Sequence, residues 1–338
     1  MTAGGKQAAL KAPINFKIFH VHVENIVTRI PVLSVAVNSW QLASRAFASE
    51  RKNYRTWQQW RSFLSALIMP QFAYTWFEIL KSPDFHLIAA CRQRLYFKPF
   101  RVYMSIKWKT KQKLKVILDT YRFIMSKGET FKQVITCSGG LEMARFTLSD
   151  GIQGILTLGY DERYRKEGEL VFSFECNELG GKIASAAFSF EEMNMERWVC
   201  RIACVQGHMR NVENSSKAAQ KLMYGLRPKS LIVFVVQEFS RQLGFTALYG
   251  AGDAIQPYRR KHLIHLPGRH TIQFDYNAIW SESGGRQNND GWYEIPLTPL
   301  RKNVNEIKSN KRSLYSKRYS LLDNLSLKIA DTVKKIIA

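Results

Sequence analysis

The sequence predicts an α+β fold in which a basic helical part precedes a mixed, mostly antiparallel sheet, and an amphipathic helix ends the chain. Three patterns predict it: apolar residues at helical spacing from residue 50 to 127, short runs rich in Val, Ile and Phe after residue 128, and an apolar stripe from Glu306 onward. Hydrophobic residues make up 46% and charged residues 23% of the 338 residues, which is the composition of a folded globular protein.

The positive charge is concentrated outside the centre of the chain. Residues 50–132 hold 17 basic and 5 acidic residues, whereas residues 133–300 hold 18 of each. Residues 301–338 add a net charge of +7 and residues 1–49 add +4. We therefore divide the chain into a loosely ordered lead-in (1–49), a basic helical subdomain (50–132), an α/β core (133–300) and a basic C-terminal helix (301–338) that packs on the core or on a membrane.

Proline and glycine divide the pattern into elements. Pro70, Pro83 and Pro99 separate the early helices, because proline lacks an amide proton and clashes inside a helix. The predicted helices are Tyr54–Met69, Tyr74–Ser82, Phe85–Gln93, Lys109–Ser126, Ser215–Tyr224, Pro228–Leu243 and Tyr276–Ser283. The predicted strands are Ile155–Tyr160, Leu170–Glu175, Lys182–Phe190, Trp198–Gln206, Thr246–Gly250 and Trp292–Pro296. The core therefore has the order β-β-β-β-α-α-β-α-β.

Cysteine usage and hydropathy exclude several classes of protein. The five cysteines contain no CxxC pair, which predicts neither a disulfide framework nor a zinc site and favours a reducing compartment. The most apolar stretch, Ser62–Leu80, is interrupted by Pro70, Gln71 and Glu78, whereas a spanning helix needs about 20 clean apolar residues. We expect no transmembrane helix and no metal ion, and a chain that is soluble or lies on a membrane surface.

Several short motifs occur together and in a fixed order. They are Lys98-Pro-Phe-Arg-Val-Tyr103, Gln206-Gly207, Gly225-Leu-Arg-Pro-Lys229, Arg259-Arg-Lys261, Asp275-Tyr276, Trp280-Ser-Glu-Ser-Gly-Gly285, Asp290-Gly-Trp-Tyr-Glu-Ile-Pro296, Arg301-Lys302 and Lys311-Arg-Ser-Leu-Tyr-Ser-Lys-Arg-Tyr319 with Asp323. Over roughly residues 50–330 this set resembles the VirK/YbjX family of Gram-negative bacteria. The resemblance implies an intracellular protein linked with virulence, envelope integrity and resistance to cationic antimicrobial peptides, and it implies no particular reaction.

The order of elements in the core resembles that of GCN5-related N-acyltransferases. The resemblance makes Trp198–Gln206 the central strand and Gly225–Ser230 the phosphate-binding turn, because a helix N-terminus offers free N–H groups and a positive dipole end to a pyrophosphate. The residues it assigns to coenzyme A or an acyl carrier protein thioester are Gln206, Gly225, Arg227, Lys229 and Ser230. The inserted helix Ser215–Tyr224 and the missing Gly-x-Gly depart from that family, and a capped core helix would need the same Gly and Pro.

No catalytic constellation is visible in the sequence, so the candidates are chosen by residue type. Glu282 and Asp275, near Trp280, are candidates for a base that deprotonates an amine, and so is His265, because histidine titrates near neutrality. The alternative is structural, with the carboxylates paired to the basic residues at 301 and 302 and the histidine on the surface. The candidates for substrate contact are Arg259, Arg260, Lys261 and Trp280.

The basic helical subdomain interleaves aromatic residues with Lys and Arg. The aromatic residues are Trp57, Trp60, Trp76, Tyr96, Tyr103 and Trp108. This mixture is typical of interfacial helices on anionic lipid, while ordinary packing and nucleic-acid stacking are the alternatives. We expect a cytoplasmic protein peripheral to the inner membrane, with anionic lipid and an acidic carrier protein as partners. The expected function is acyl transfer to an envelope lipid or sugar amine, and the alternative is a non-enzymatic accessory factor for surface-protein localisation or membrane integrity.

Overall fold

The computed structural model describes residues 30–136, 140–194, 196–207, 212–259 and 275–337. The chain forms two compact units, the first ending at Ala89 and the second beginning at Ala90. The sequence predicted a boundary near residue 132 instead. The difference arises because the helix Thr110–Met125, which the sequence assigned to the basic subdomain, packs on the sheet. Its Thr120 Oγ1 donates to the carbonyl oxygen of Phe190, a strand residue, at 3.1 Å and accepts from the Phe190 N–H at 2.9 Å.

The first unit is helical. Its helices are α1 (Val32–Ala46), α2 (Lys52–Ile68), α3 (Pro70–Lys81) and the start of α4 (His86–Cys91). Helix α1 lies where the sequence predicted a loosely ordered lead-in, so that prediction is wrong over these residues. The β-branched Val32, Val35 and Val37 lower the intrinsic helix propensity of this segment, and packing of the buried Ala36 and Ala43 favours the helix instead.

The break between α2 and α3 divides the most apolar stretch of the chain into two separate helices. Pro70 occupies the first turn of α3, where a helix tolerates the missing N–H, so α3 begins four residues earlier than predicted. Within the described ranges, no single helix is long and apolar enough to cross a membrane. Helices α2 and α3 meet that test only as a pair, and they are bent by 112° at the break.

The second unit is an eight-stranded sheet with helices packed on it. The strands are β1 (Leu141–Thr147), β2 (Gln153–Gly159), β3 (Leu170–Cys176), β4 (Gly181–Asn194), β5 (Arg197–Gly207), β6 (Ala247–Ala251), β7 (Arg286–Gln287) and β8 (Trp292–Ile295). The helices are α5 (Thr110–Met125), α6 (Glu129–Ile135), α7 (Val212–Leu222), α8 (Pro228–Gln242), α9 (Tyr276–Glu282) and α10 (Arg312–Ile337). Strands β1 and β7 and helix α6 were not predicted from the sequence.

The sheet is mixed and mostly antiparallel, which confirms the predicted fold class. Its strand order is β1-β2-β3-β4-β5-β6-β8-β7, and only β5 and β6 pair in parallel. Parallel neighbours need a crossover connection, and here helices α7 and α8 provide it. The core on the α8 side is aromatic: Phe239 of α8 packs edge-on against Phe172 and Phe188, with ring centroids 5.0 and 6.2 Å apart.

Helix α10 packs on this core rather than standing apart from it. Its apolar stripe is buried at Leu321, Leu322, Leu325, Ile329, Val333 and Ile336. Ser326 Oγ donates to Glu238 Oε2 on α8 at 2.6 Å, and Lys328 Nζ donates to the Arg145 carbonyl oxygen on β1 at 2.6 Å. Of the two positions predicted for the C-terminal helix, the structure therefore has packing on the core.

Two predictions about side chains need correction. Of the aromatic residues assigned to an interfacial surface, Trp76 and Tyr103 are fully buried, and Trp108 stacks on Trp292 with centroids 5.3 Å apart. These three residues therefore contribute to packing. Cys91 is disulfide-bonded, although the sequence predicted no disulfide, because the spacing of cysteines along a chain does not reveal which of them the fold brings together.

Substitution of Gly250 by Ala should lower the free energy of unfolding by about 1–3 kcal/mol, because the site is too tightly packed for a methyl group. A Cβ at Gly250 would lie 2.5 Å from the Trp280 ring, which is held by the hydrogen bond from its Nε1 to the Ala251 carbonyl oxygen at 2.8 Å. Gly140→Ala is the matched control, since its Cβ would make ordinary contacts from 3.4 Å. Urea unfolding measures both, and equal stability of the two variants would contradict this packing.

Candidate functional site

The parallel ladder between β5 and β6 is short. It runs from Val199 paired with Ala247 to Ile202 paired with Gly250. Strand β5 then continues to Gly207 along β4 alone, while β6 ends and the chain turns. Among the described residues, the edge of β5 from 203 to 207 therefore faces no strand. Ligands of α/β sheets bind beyond the carboxyl ends of the strands, which makes this edge the candidate site.

The start of α9 is fixed beside the open edge of β5. The Asp253 carboxylate accepts from the N–H groups of Tyr276 and Asn277 at 3.2 and 3.3 Å. In return, Asn277 Oδ1 accepts from the Asp253 N–H at 3.0 Å. The buried Tyr276 side chain thereby reaches β5, where its hydroxyl donates to Cys204 Sγ at 3.4 Å.

Glu167 approaches the same region from the turn between β2 and β3. The N–H groups of Glu167 and Gly168 both donate to the Tyr164 carbonyl oxygen, at 2.8 and 3.1 Å. A Cβ at Gly168 would lie 2.5 Å from the backbone nitrogen of Phe188, so only glycine lets the turn lie this close to β4. The turn holds the Glu167 carboxyl group with its Oε2 buried and without a hydrogen-bond partner.

Electrostatics couples these groups. Burial raises the pKa of Glu167 to about 7, although the nearby cations Lys166, Arg165 and Lys98 oppose the shift. Burial also raises the pKa of Cys204 to about 12, and the Glu167 charge adds to that shift. At neutral pH the site therefore holds a thiol next to a carboxyl group that is close to half ionised.

Two further groups complete the site. Burial and the adjacent Cys204 raise the pKa of Tyr276 well above its ordinary value, which keeps its hydroxyl protonated. Burial lowers the pKa of Lys229, and Cys204 opposes that shift, so Lys229 lies within electrostatic reach of the same thiol. Glu167, Cys204, Tyr276 and Lys229 thus form one cluster, which we call the β5-edge cluster. It can accept a proton at Glu167, while Tyr276 keeps its proton and donates a hydrogen bond to Cys204.

The structure brings some of the predicted cofactor residues to this end of the sheet. Gln206 follows Cys204 on β5 and is partly exposed, and Lys229 and Ser230 lie half-buried in the first turn of α8. Arg227, the residue before that helix, makes no side-chain capping hydrogen bond to it. Arg227 precedes the helix with an exposed side chain, and its Nη1 lies 3.0 Å from Glu282 Oε2.

The glycine turn itself is packed. Gly225 has φ +78°, a conformation that favours glycine, and a Cβ there would lie 2.8 Å from Arg318 Nη2 on α10. Arg318 donates through Nε and Nη2 to the Tyr224 carbonyl oxygen at 3.0 and 2.8 Å. Gly225 therefore allows the turn against which α10 packs.

The predicted catalytic and substrate residues lie elsewhere or outside the described part of the chain. Glu282 is exposed and paired with Arg227 rather than with residue 301 or 302. Asp275 caps α9 by accepting from the Ala278 N–H at 2.8 Å. Trp280 is completely buried, which makes it a packing residue rather than a surface that a substrate can touch. The side chain of Arg259, together with Arg260, Lys261 and His265, lies outside the described residues.

Sequence reasoning missed the two residues at the centre of the cluster. Tyr276 had a signal, because Asp275-Tyr276 is one of the ordered motifs. Glu167 had none, since in the sequence it follows Arg165 and Lys166 like any residue of a solvated charged turn. Only the fold shows that its carboxyl group points away from solvent.

A cavity of about 330 Å³ lies away from this cluster, between α8, the segment after β8 and α10. Its polar lining is already paired: Arg241 lies 2.6 Å from Glu238, and Arg301 pairs with Asp323. We therefore do not assign the site to this cavity. Within the residues that the structure describes, no three His, Cys, Asp or Glu side chains group as metal ligands would.

Comparison with known proteins decides the family. Residues 51–331 match the family described as "Protein of unknown function (DUF535)". The chain belongs to the DUF535 family. It is 27% identical over 271 residues to uncharacterized protein YbjX of Escherichia coli K12, which covers 79% of this chain and 81% of that protein. The resemblance to the VirK/YbjX family is thereby confirmed.

Other similarities are more partial. An uncharacterized protein of Haemophilus influenzae is 38% identical over 128 residues, covering 37% of this chain and 40% of that protein. Among solved structures, a cAMP-binding acyltransferase from Mycobacterium smegmatis aligns with a TM-score of 0.29 and 10% identity. That alignment covers 63% of this chain and 60% of the acyltransferase.

Substitution of Glu167 by Gln should raise the free energy of unfolding at pH 8 by about 2–3 kcal/mol. The pKa of Glu167 is about 7 in the folded chain and 4.5 ordinarily, so the folded state binds this proton more tightly. The wild type therefore loses stability as the pH rises from 4.5 to 7, whereas the variant does not, and the two should converge near pH 4.5.

Urea unfolding at pH 4.5, 6 and 8 tests this. Glu169→Gln is the matched control two residues away, because Glu169 is buried and its Oε1 lies 2.5 Å from Lys98 Nζ. Breaking a buried ion pair costs about 3–5 kcal/mol, so the control should destabilise the protein. A Glu167→Gln variant with wild-type stability at all three values of pH would mean that the Glu167 pKa is ordinary.

Proposed function

We propose that this protein transfers an acyl group from a coenzyme A or acyl carrier protein thioester to an amine at the open edge of β5, with Glu167 as the general base. The observation that carries the proposal is the buried Glu167 carboxyl group, whose Oε2 has no hydrogen-bond partner beside a strand edge that no described strand covers. A buried acceptor without a partner is costly in a structural role, so it favours a role in binding or proton transfer.

The chemistry follows from the protonation states. The amine nitrogen attacks the thioester carbonyl carbon, the carbon–sulfur bond breaks, and Glu167 takes the proton that the amine loses. Glu167 then passes this proton to the leaving sulfur, while Tyr276, whose pKa burial and the adjacent Cys204 raise, keeps its own proton. A base whose pKa lies near neutrality is the most effective at the pH of a cell, and Glu167 meets that condition.

The elements around the cluster suit a thioester donor. The partly exposed end of β5, at residues 206–207, can pair with an amide group of a pantetheine arm as a further strand would. The uncapped first turn of α8, with Arg227 and Lys229, lies at the end of the crossover from β5 and suits the phosphates. Direct transfer is favoured over an acyl-enzyme on Cys204, because a thiol with a pKa of about 12 is protonated and weakly nucleophilic.

For the acyl acceptor and the cellular location, the proposal keeps what the charge distribution and the family resemblance predict. The acceptor would be an amine of an envelope lipid or sugar, reached from the cytoplasmic face of the inner membrane. One observation favours the second candidate, a non-enzymatic accessory factor with the core as a binding module. The turn at Gly225 is braced by Arg318 through two hydrogen bonds, as a structural turn would be.

The enzyme proposal predicts that Glu167→Gln lowers the transfer rate at least 10²-fold, because general-base catalysis contributes about that much. The wild-type rate should rise with pH and level off above about pH 7, where Glu167 is ionised. The assay measures thiol release from acetyl- and palmitoyl-coenzyme A with glucosamine or phosphatidylethanolamine as acceptor. Glu142→Gln, at an exposed ion pair on β1, is the control. Absence of transfer with every donor, and no thioester copurifying in native mass spectrometry, would favour the accessory factor.

Arg227→Ala and Lys229→Ala should each weaken coenzyme A binding at least tenfold in isothermal titration calorimetry. Their melting temperatures should stay near that of the wild type, because an exposed ion pair such as Arg227–Glu282 contributes only about 0–1 kcal/mol. Arg241→Ala is the matched control, since Arg241 also pairs with a glutamate but at the other end of α8. Lower stability with unchanged coenzyme A binding would assign the turn a structural role.

A further inference from the structure

Helix α2 has the reverse of the polarity expected in water. Its buried residues are polar or small, namely Gln58, Gln59, Ser62 and Ala66. Its large apolar residues are exposed: Trp57 and Trp60 each by 53%, Leu64 by 49%, Leu67 by 41% and Ile68 by 75%. A helix that faces water normally places its apolar stripe inward, so this arrangement indicates that something other than water covers the outer side.

The exposed apolar residues of α2 lie on one side of the helix. Their spacing of three and four along α2 places them on a single face of the helix. Helix α1 extends this face with Leu33 and Val37, which are 65% and 45% exposed. The two helices meet there through Trp40 and Trp60, whose rings are edge-on at 4.9 Å. We call these seven residues the α1–α2 face: Leu33, Val37, Trp57, Trp60, Leu64, Leu67 and Ile68.

The buried sides of α1 and α2 are lined by small residues. These are Ala36, Ser39 and Ala43 on α1 and Ser62 and Ala66 on α2. Ser39 Oγ donates to the Ser62 carbonyl oxygen at 3.0 Å. Small residues and interhelical hydrogen bonds between helices, with large apolar residues outside, are the packing mode of helices that contact lipid.

The charges on α2 itself are all positive. Helix α2 contains no acidic residue, and its basic residues Lys52, Arg55 and Arg61 follow Arg51 directly before the helix. The Arg61 guanidinium lies over the Trp57 ring, 5.2 Å from its centroid. Tryptophan and basic side chains at one level suit the headgroup layer of an anionic bilayer, with Leu and Ile below it.

We propose that the α1–α2 face docks on an anionic lipid surface. Trp57 and Trp60 lie among the headgroups, Leu64, Leu67 and Ile68 enter the acyl boundary, and the basic residues of α2 contact lipid phosphates. The inference goes beyond acyl transfer and does not rest on it, because the residues of this face belong to the first unit and the β5-edge cluster belongs to the second.

Vesicle flotation of the full chain tests the proposal. The probes are vesicles of phosphatidylcholine with about 30% phosphatidylglycerol, and vesicles of phosphatidylcholine alone. The wild type should bind the anionic vesicles at least tenfold more strongly at low salt, and 0.5 M NaCl should reduce this preference, since salt screens surface charge. The double variant Leu64→Ser with Ile68→Ser should lose at least tenfold in partitioning to anionic vesicles.

Two controls separate docking from loss of folding and from general charge. Leu327→Ser changes a residue that is 68% exposed on α10, and Lys335→Gln removes an exposed charge on the same helix, so both should bind like the wild type. Because both changes in the double variant are at exposed positions, its melting temperature should equal that of the wild type. Lys52→Gln is a second, milder test and should reduce the preference for anionic over neutral vesicles. Wild-type binding by the double variant would overturn the proposal. The proposal would also be overturned if the wild type bound no vesicles but formed a dimer, and if the double variant did not dimerise. That result would assign the face to a second copy of the chain.

Discussion

The early end of the β5–β6 ladder is the constraint on which the site depends. Parallel pairing stops at Ile202 and Gly250, and among the strands of the described residues the rest of β5 pairs with β4 alone. The unpaired edge allows the start of α9 to approach β5, and the reciprocal hydrogen bonds of Asp253 hold it there. Had β6 continued, its backbone would occupy the place where the Tyr276 hydroxyl meets Cys204.

Glu167 and Glu169 are two residues apart and differ in their physical state. Glu169 is fully buried and paired: Lys98 forms an ion pair with it, and the Tyr121 hydroxyl donates to its Oε2 at 2.5 Å. Lys98 begins the motif Lys98–Tyr103, so this ion pair holds the motif against the residues that precede β3. Glu167 lacks such a partner, and burial raises its pKa to about 7. The paired residue stabilises the turn, and our proposal of a general base rests on the unpaired one.

The basic residues of the two units have different surroundings, which composition cannot separate. In the second unit, part of the positive charge pairs within the fold with acidic residues that lie outside residues 50–132: Lys98 Nζ lies 2.5 Å from Glu169 Oε1, and Arg94 Nη1 lies 3.4 Å from Glu162 Oε1. In the first unit, the basic residues of α2 flank exposed apolar side chains instead. The net charge of residues 50–132 therefore overstates the anion-binding surface.

The sequence by itself determined the fold class, the order of most elements and the family, because apolar periodicity, proline positions and ordered motifs are local properties of a chain. It did not determine helix α1 or strand β1, which gain their stability from packing rather than from propensity. The C-terminal stripe predicted a helix but left its partner open, and only the contacts of α10 with α8 and β1 decided it. For the same reason the sequence named Gln206 and Lys229 but missed Glu167: burial, and with it a shifted pKa, depends on residues distant in the chain, such as Phe188 of β4, against which the glycine after Glu167 packs.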